Sequence, residues 1–261
     1  MRFEAFRALH SDGTPLLLPN AWDFASAAAL SAAGFAAIGT TSLGVAASHG
    51  LPDAQGLARA ETLALAERLT RLPCLLSVDI EAGFSEDPAE VAALVVRLAA
   101  AGAVGINLED GRPQGTLAPI PRQLELIAAV KSAAPELFLN ARTDTHWLAE
   151  GRPPALAETL ARIEAYSAAG ADGVFVPGLA GAADIRTVVE AVKVPVNLLA
   201  APGRMTLREF ADLGVRRVSC GSLLFRAALH TTVQTALAVS RDQPVMDGIP
   251  GYAEVERLAD L

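Results

Sequence analysis

Four stretches of the chain repeat one arrangement: an Ala-rich segment, a glycine, then a short apolar run. They are Leu30 to Ile38 (LSAAGFAAI), Leu98 to Ile106 (LAAAGAVGI), Tyr166 to Val174 (YSAAGADGV) and Phe210 to Val218 (FADLGVRRV). A glycine just past a helix reaches the left-handed conformation that ends it without a Cβ penalty. The run that follows is apolar on both faces, as a parallel strand covered by helices on both sides must be. Serial helix–strand units of this kind leave few architectures open. Strands are predicted at 16–18, 36–40, 74–80, 104–108, 137–141, 174–176, 194–199 and 217–220. The helical patterns that follow them cover 23–33, 54–72, 88–101, 121–134, 154–169, 182–192, 206–213 and 223–240. Several of these helices open on Asp or Thr, or on Pro in the first turn, which are helix entry signals.

Eight such units in 261 residues suit a (β/α)8 TIM barrel. The competing architecture is an open doubly wound sheet, which usually carries a Gly-rich phosphate turn after its first strand. Pro19-Asn20-Ala21-Trp22-Asp23 stands there instead, so an α/β barrel over 1–240 is expected. Residues 241–261, with Pro244, Pro250 and a charged helical end, are too short and polar for a domain and read as a tail that packs on a neighbouring subunit.

Composition narrows the partners. At 52% hydrophobic residues with few aromatics, the chain is an Ala/Leu/Val-rich globular protein. A net charge of −8 argues against nucleic acid or an anionic membrane as a general partner, while leaving a small anionic ligand possible. Cys74 and Cys220 both sit in apolar runs and read as small buried hydrophobes. Met1 to Gly13 lacks the apolar core of a signal peptide, and the stretch 91–108 is broken by Arg97 and glycines. A cytoplasmic protein is expected.

In such barrels the site lies at the C-terminal ends of the strands. One end stands out: Ser77 to Phe84 reads Ser-Val-Asp-Ile-Glu-Ala-Gly-Phe, with Asp79 and Glu81 on alternate positions. Alternate residues of a strand share a face. Two like charges side by side are costly to bury, and Mg²⁺ or Mn²⁺ would relieve that cost. The alternative pairs one acid with an Arg and leaves the other solvated. Neighbouring strand ends supply Thr41, Ser42 and Leu43, with Asp53 further along the loop, then Glu109, then Arg142, then Asn197. Four acids and one Arg make a cation site with an anion partner beside it.

Each of these residues also has an ordinary role open to it. Asp53 could cap a helix beginning at Ala54, Glu109 could pair with Arg112, and Arg142 with Glu109 or Asp144. Ser42 could be a plain loop residue, and His49 and His146 could face solvent. Other chemistries lack their residues. The two lysines, Lys131 and Lys193, lie in helical patterns, which disfavours a Schiff base. His10, His49, His146 and His230 do not cluster at zinc-ligand spacing.

These motifs together resemble the isocitrate lyase/phosphoenolpyruvate mutase superfamily, over roughly Pro19 to Leu229. Pro19 to Asp23 looks like its opening strand and turn, and Thr41-Ser42-Leu43 through Asp53 like its backbone-amide loop and loop aspartate. Ser77 to Phe84 is similar to its Asp-x-Asp/Glu metal motif, Ile106 to Gly111 to the strand of its outer glutamate, and Asn140 to Asp144 to the segment of its substrate arginine. The resemblance implies a Mg²⁺-dependent enzyme acting on a 2-oxo or 2-hydroxy (di)carboxylate through an enolate, most readily a carbon–carbon lyase or oxo-acid decarboxylase. By the same resemblance Asp79, Glu81 and Glu109 hold the metal, directly or through water. Thr41, Ser42, Leu43, Asp79 and Arg142 then meet substrate, and Asp53, Glu109 and Arg142 serve catalysis. A second acidic group on the substrate would need donors elsewhere, for which the sequence offers Asn197, Arg204 and Arg112. A homodimer or homotetramer with an exchanged last helix is also implied.

One departure matters. The family's lyases carry a Lys-Lys-Cys-Gly-His loop after the fourth strand, where this chain has Gly111-Arg112-Pro113-Gln114-Gly115-Thr116. Without Cys, Lys or His there, the usual isocitrate route lacks its acid/base. The mutase branch's lysine is missing too. Phosphoenolpyruvate mutase or phosphonopyruvate hydrolase chemistry, and a catalytically weak 2-oxo acid binder, stand as alternatives.

Overall fold

Helix and strand alternate along the whole chain in the computed structural model, which describes residues 2–11, 13–149 and 156–261. The first elements are α1 (Arg2–Ala8), β1 (Leu16–Leu18), β2 (Asn20–Ala21), α2 (Phe24–Ala32), β3 (Ala37–Thr40), α3 (Ser42–Ser48) and α4 (Arg59–Leu69). The middle holds β4 (Leu75–Asp79), α5 (Pro88–Ala101), β5 (Gly105–Glu109), the small hairpin β6 (Gly111–Arg112) and β7 (Thr116–Leu117), α6 (Ile120–Ala133) and β8 (Phe138–Arg142). The chain continues through α7 (Leu156–Ala168), β9 (Gly173–Phe175), α8 (Ala182–Ala191), β10 (Val196–Leu199), α9 (Leu207–Asp212), β11 (Arg217–Ser219), α10 (Leu223–Ser240) and α11 (Tyr252–Arg257).

The parallel strands follow one another in the order β1-β11-β10-β9-β8-β5-β4-β3-β2. β1 and β2 are two pieces of one strand, interrupted at Pro19, which has no N–H to give to a ladder. The break falls where the ring closes. The Leu18 carbonyl accepts from Cys220 N–H at 3.2 Å on one side, and the Pro19 carbonyl from Gly39 N–H at 2.8 Å on the other. Nine strand segments therefore trace an eight-stranded TIM barrel.

Outward strand residues such as Val78, Ile80, Ile106, Leu108 and Leu139 pack beneath the helices in one buried cluster. Val174, Val176, Leu198 and Val218 build a second on the other side. The barrel interior is different, because Ser77, Asn107, Asn140, Asn197 and Arg217 are buried there. Asn107 Oδ1 accepts from Asn140 Nδ2 (2.9 Å) and from Arg217 Nη2 (3.2 Å). Glycine makes room for this layer: a Cβ at Gly39 would lie 2.7 Å from Asn20 Nδ2. The lower end is plugged by α1 and the turn after it, where Phe6 and His10 pack on Phe138 with ring centroids 5.4 and 4.6 Å away.

Every predicted strand is present, with ends within two residues of those expected. The helices depart more. Neither α1 nor α3 was expected, and the helix predicted from 54 begins only at Arg59. Ala54 has φ 56°, a left-handed turn conformation that cannot start a right-handed helix. The predicted start at 154 lies outside the described residues. After α10 the tail returns to its own barrel, where Leu258 packs against the main core beside α2. Among the described residues, no helix is long and apolar enough to cross a membrane.

Candidate active site

A cavity of about 320 Å³ opens at the C-terminal mouth of the barrel. It brings together Thr41, Ser42, Leu43, Asp53, Asp79 and Arg142 from the ends of β3, β4 and β8. Parallel register sets the neighbours: Asp79 lies level with Asn107, and Glu109 with Arg142. Asp79 is held through its backbone, its N–H donating to Thr40 Oγ1 at 2.8 Å. Its carboxylate accepts from Glu81 N–H at 3.3 Å, and the Ser42 N–H supports its charge as well.

Glu81 reaches the site by a route the alternation argument did not foresee. β4 ends at Asp79, and Glu81 turns with φ 49°, a conformation a glutamate adopts only when its surroundings impose it. Its Oε2 accepts from Gly56 N–H at 2.9 Å, while Oε1 is buried with no partner among the described residues. Glu81, Glu109 and Arg112 line an adjoining cavity of about 200 Å³. Burial raises the Glu81 carboxyl to about 7, with Asp79 and Asp53 adding to the rise and the Gly56 N–H opposing it. Burial raises Asp79 too, Arg142 opposing and Asp53 reinforcing.

Arg142 is the hub. Nη1 pairs with Glu109 at 2.8 Å and Nε with Asp144 at 2.6 Å, so the structural pairing open to it in the sequence does occur. Burial works against its charge, but Glu109, Asp144 and Asp79 outweigh that and keep it protonated. Nη2 has no hydrogen-bond partner among the described residues. Asp144 is fixed in turn by Asp110, whose Oδ1 accepts the Asp144 N–H at 2.9 Å. The other oxygen of Asp110 accepts from Tyr166 Oη (2.7 Å) and Arg162 Nη1 (3.1 Å). Gly111 is required beside it, because a Cβ there would strike Asp144.

Asp53 joins the cavity as expected, while Arg112 and Asn197 do not line it. Asp53 lines the cavity but caps no helix, since α4 starts at Arg59. Arg112 pairs with the Glu86 carboxylate at 2.9 Å and donates only to the backbone carbonyl of Glu109, at 3.3 Å, and it does not line the main cavity. Asn197 is buried below the mouth, its Oδ1 near Ser219 Oγ at 3.3 Å and its Nδ2 without a partner among the described residues. Asn20, Trp147, Phe175 and Arg226 also line the cavity and were not singled out from the sequence. Their signal was present: Asn20 ends the first strand, and Arg226 follows the last one by a single helical turn.

The profile of the phosphoenolpyruvate phosphomutase family matches residues 6–240. The chain belongs to that family. Membership places it in the isocitrate lyase/phosphoenolpyruvate mutase superfamily that its strand-end motifs resemble. It is 34% identical over 241 residues to a 2-methylisocitrate lyase of Bacillus subtilis (strain 168), covering 85% of this chain and 76% of that one. It is 32% identical over 233 residues to an oxaloacetate decarboxylase of Paraburkholderia xenovorans (strain LB400), covering 83% and 74%. In structure it is similar to a phosphonopyruvate hydrolase in complex with oxalate and Mg²⁺, with a TM-score of 0.87 and 25% identity, covering 100% and 95%.

The residues at this mouth offer oxygens that suit a divalent cation. Asp53 Oδ1 and Glu81 Oε1 are buried oxygens with no donor among the described residues, and burial disfavours the charge of Asp79 and Glu81. A cation answers both. Among the described residues no three acidic, His or Cys side chains close around one point as a ready-made cage. That suits Mg²⁺, which keeps several waters and takes only one or two carboxylates directly.

Proposed function

We propose that this chain is a cytoplasmic Mg²⁺-dependent enzyme, with Mn²⁺ as a substitute, that cleaves a carbon–carbon bond in a 2-oxo or 2-hydroxy dicarboxylate through an enolate. The observation that carries the reading is one cavity lined by both Asp79 and Arg142, whose Nη1 and Nε are taken up by Glu109 and Asp144. Asp79 would hold the metal, with Glu81 and Glu109 behind it through water. When bound, the metal supplies Lewis-acid stabilisation of negative charge on a substrate oxygen. Arg142 Nη2 donates to the substrate carboxylate, while Glu109 and Asp144 fix the guanidinium so that little reorganisation is needed as charge develops. Asp53 Oδ1, unpartnered at the cavity, is the oxygen placed to hold or pass a proton. The β6–β7 loop offers no thiol or amine for that task. We propose in addition that the protein is a homodimer or homotetramer, with the last helix exchanged.

Calorimetric titration of oxalate tests the reading, with and without Mg²⁺. Binding should require the metal and be abolished in Asp79→Ala. Affinity surviving within a few-fold in the variant would remove Asp79 as the metal's holder. Turnover of oxaloacetate, 2-methylisocitrate and phosphonopyruvate then separates carbon–carbon from phosphorus–carbon cleavage.

A further inference from the structure

Two arginines line the main cavity, and they are in opposite electrical circumstances. Arg142 is clamped by Glu109 and Asp144. Arg226, in the first turn of α10, makes no ion pair among the described residues. Its one side-chain hydrogen bond runs from Nε to Ser222 Oγ, one turn back, at 3.2 Å. Arg226 is exposed, yet it also borders the concave cavity that Asp79 and Arg142 line.

Ring order shows how far apart those walls are. Going round the barrel from β11, which leads into α10, β8 is reached in three steps one way and β4 in three steps the other. β5, with Glu109, lies directly opposite. Arg226 therefore borders the cavity from the side opposite the Asp79–Arg142 arc. A ligand anchored at that arc and long enough to span the cavity would bring its distal end to Arg226. The near-side donors Ser222 and Gly221 border the cavity too.

We infer that Arg226 receives a second anionic group of the substrate, so that the site selects 2-oxo acids bearing a distal carboxylate. This rests on the function proposed above for the same cavity. It assigns to α10 the part that the sequence suggested for Arg112, which the structure ties to Glu86 outside the cavity. An unpaired guanidinium meets a carboxylate with two parallel charge-assisted hydrogen bonds, a geometry Lys cannot copy.

The test compares 2-oxoglutarate with 2-oxovalerate, equal in carbon count and different only in the distal carboxylate, by competition against oxalate at fixed Mg²⁺. Wild-type protein should favour the diacid by roughly ten- to a hundred-fold, the worth of one charge-assisted pair. Arg226→Ala should bring the ratio to near one by weakening only the diacid, and Arg226→Lys should restore part of it. The monoacid is an internal reference, so a misfolded variant, which loses both ligands, is distinguished from loss of selectivity, and Arg226→Gln then replaces it. A preference that persists without Arg226, that is absent from wild type, or that vanishes instead with Arg204→Ala or Arg112→Ala overturns the inference. If oxalate itself fails to bind with Mg²⁺, the proposed function falls first; if oxalate binds and the ratio ignores Arg226, only this inference falls.

Discussion

His10 shows how one residue can set a pH limit far from the chemistry. Its Nδ1 donates to the Phe6 carbonyl at 2.8 Å, its ring stacks on Phe138, and its buried Nε2 has no partner among the described residues. Burial lowers its pKa from 6.5 to about 3, and the Arg217 cation adds to the shift. The folded pKa is below the unfolded one, so the unfolded chain gains a proton first as pH falls. His10's contribution to stability is complete above pH 6.5 and is lost between there and about pH 3. The slope in that window is about 1.4 kcal/mol per pH unit. His10→Gln keeps a donor for Phe6 and removes the titration. Between pH 7 and 5, wild type should lose about 2 kcal/mol more than the variant in urea unfolding. Equal losses would show that His10 titrates as it does in water.

At the level of elements, α7 is tied to the site by a polar chain and not by apolar packing alone. Tyr166 and Arg162 on α7 hold Asp110, Asp110 holds the Asp144 N–H, and Asp144 holds Arg142. Arg162 Nη1 also donates to the Ala118 carbonyl at 2.8 Å, so the same helix anchors the base of the β6–β7 hairpin. Tyr166→Phe removes one donor from a buried carboxylate without leaving a large hole. It should cost about 1.5–3 kcal/mol in denaturant unfolding and weaken oxalate binding with Mg²⁺ through looser placement of Arg142. Unchanged stability would mean that water replaces the hydroxyl without loss.

Of this chain of contacts only the Arg142–Asp144 pair was visible in the sequence, because Tyr166 occupies an ordinary apolar position of a helical pattern and its partner lies 56 residues away. The strands were visible, since doubly buried runs such as Leu75–Asp79 carry their own signature. The cluster of Asp79, Glu81, Glu109 and Arg142 was visible as well, because parallel register places strand ends together. The route of Glu81 was not, since a left-handed glutamate has no sequence signal. Arg226 has a weaker signal, since it lies on α10 and not at a strand end.

The molecule as a whole leaves α10 unfinished. Of its 18 residues only Phe225 is buried, while Leu229, Val233 and Leu237 are 52%, 55% and 37% exposed. Spaced four apart, these three lie along one face of the helix. The segment after it adds Met246, Ile249 and Tyr252, the last 82% exposed. Scattered single apolar residues need no explanation, but a stripe of three along one helix face, with apolar residues in the tail after it, has the make-up of an interaction surface. The face is built from one chain, so a second copy presents the same stripe, and a twofold pairing covers both at once. The proposed pairing would link oligomer and site through α10, whose first turn carries Arg226 to the cavity and whose later turns carry the stripe. Light scattering after gel filtration at micromolar concentration should therefore give a dimer or tetramer mass. Val233→Glu, which sets a charge in the middle of the stripe, should shift that mass toward 27.0 kDa and leave the barrel's circular dichroism in place. A monomer in the wild type would reject the pairing, and a variant that stays assembled would move the interface off this face of α10.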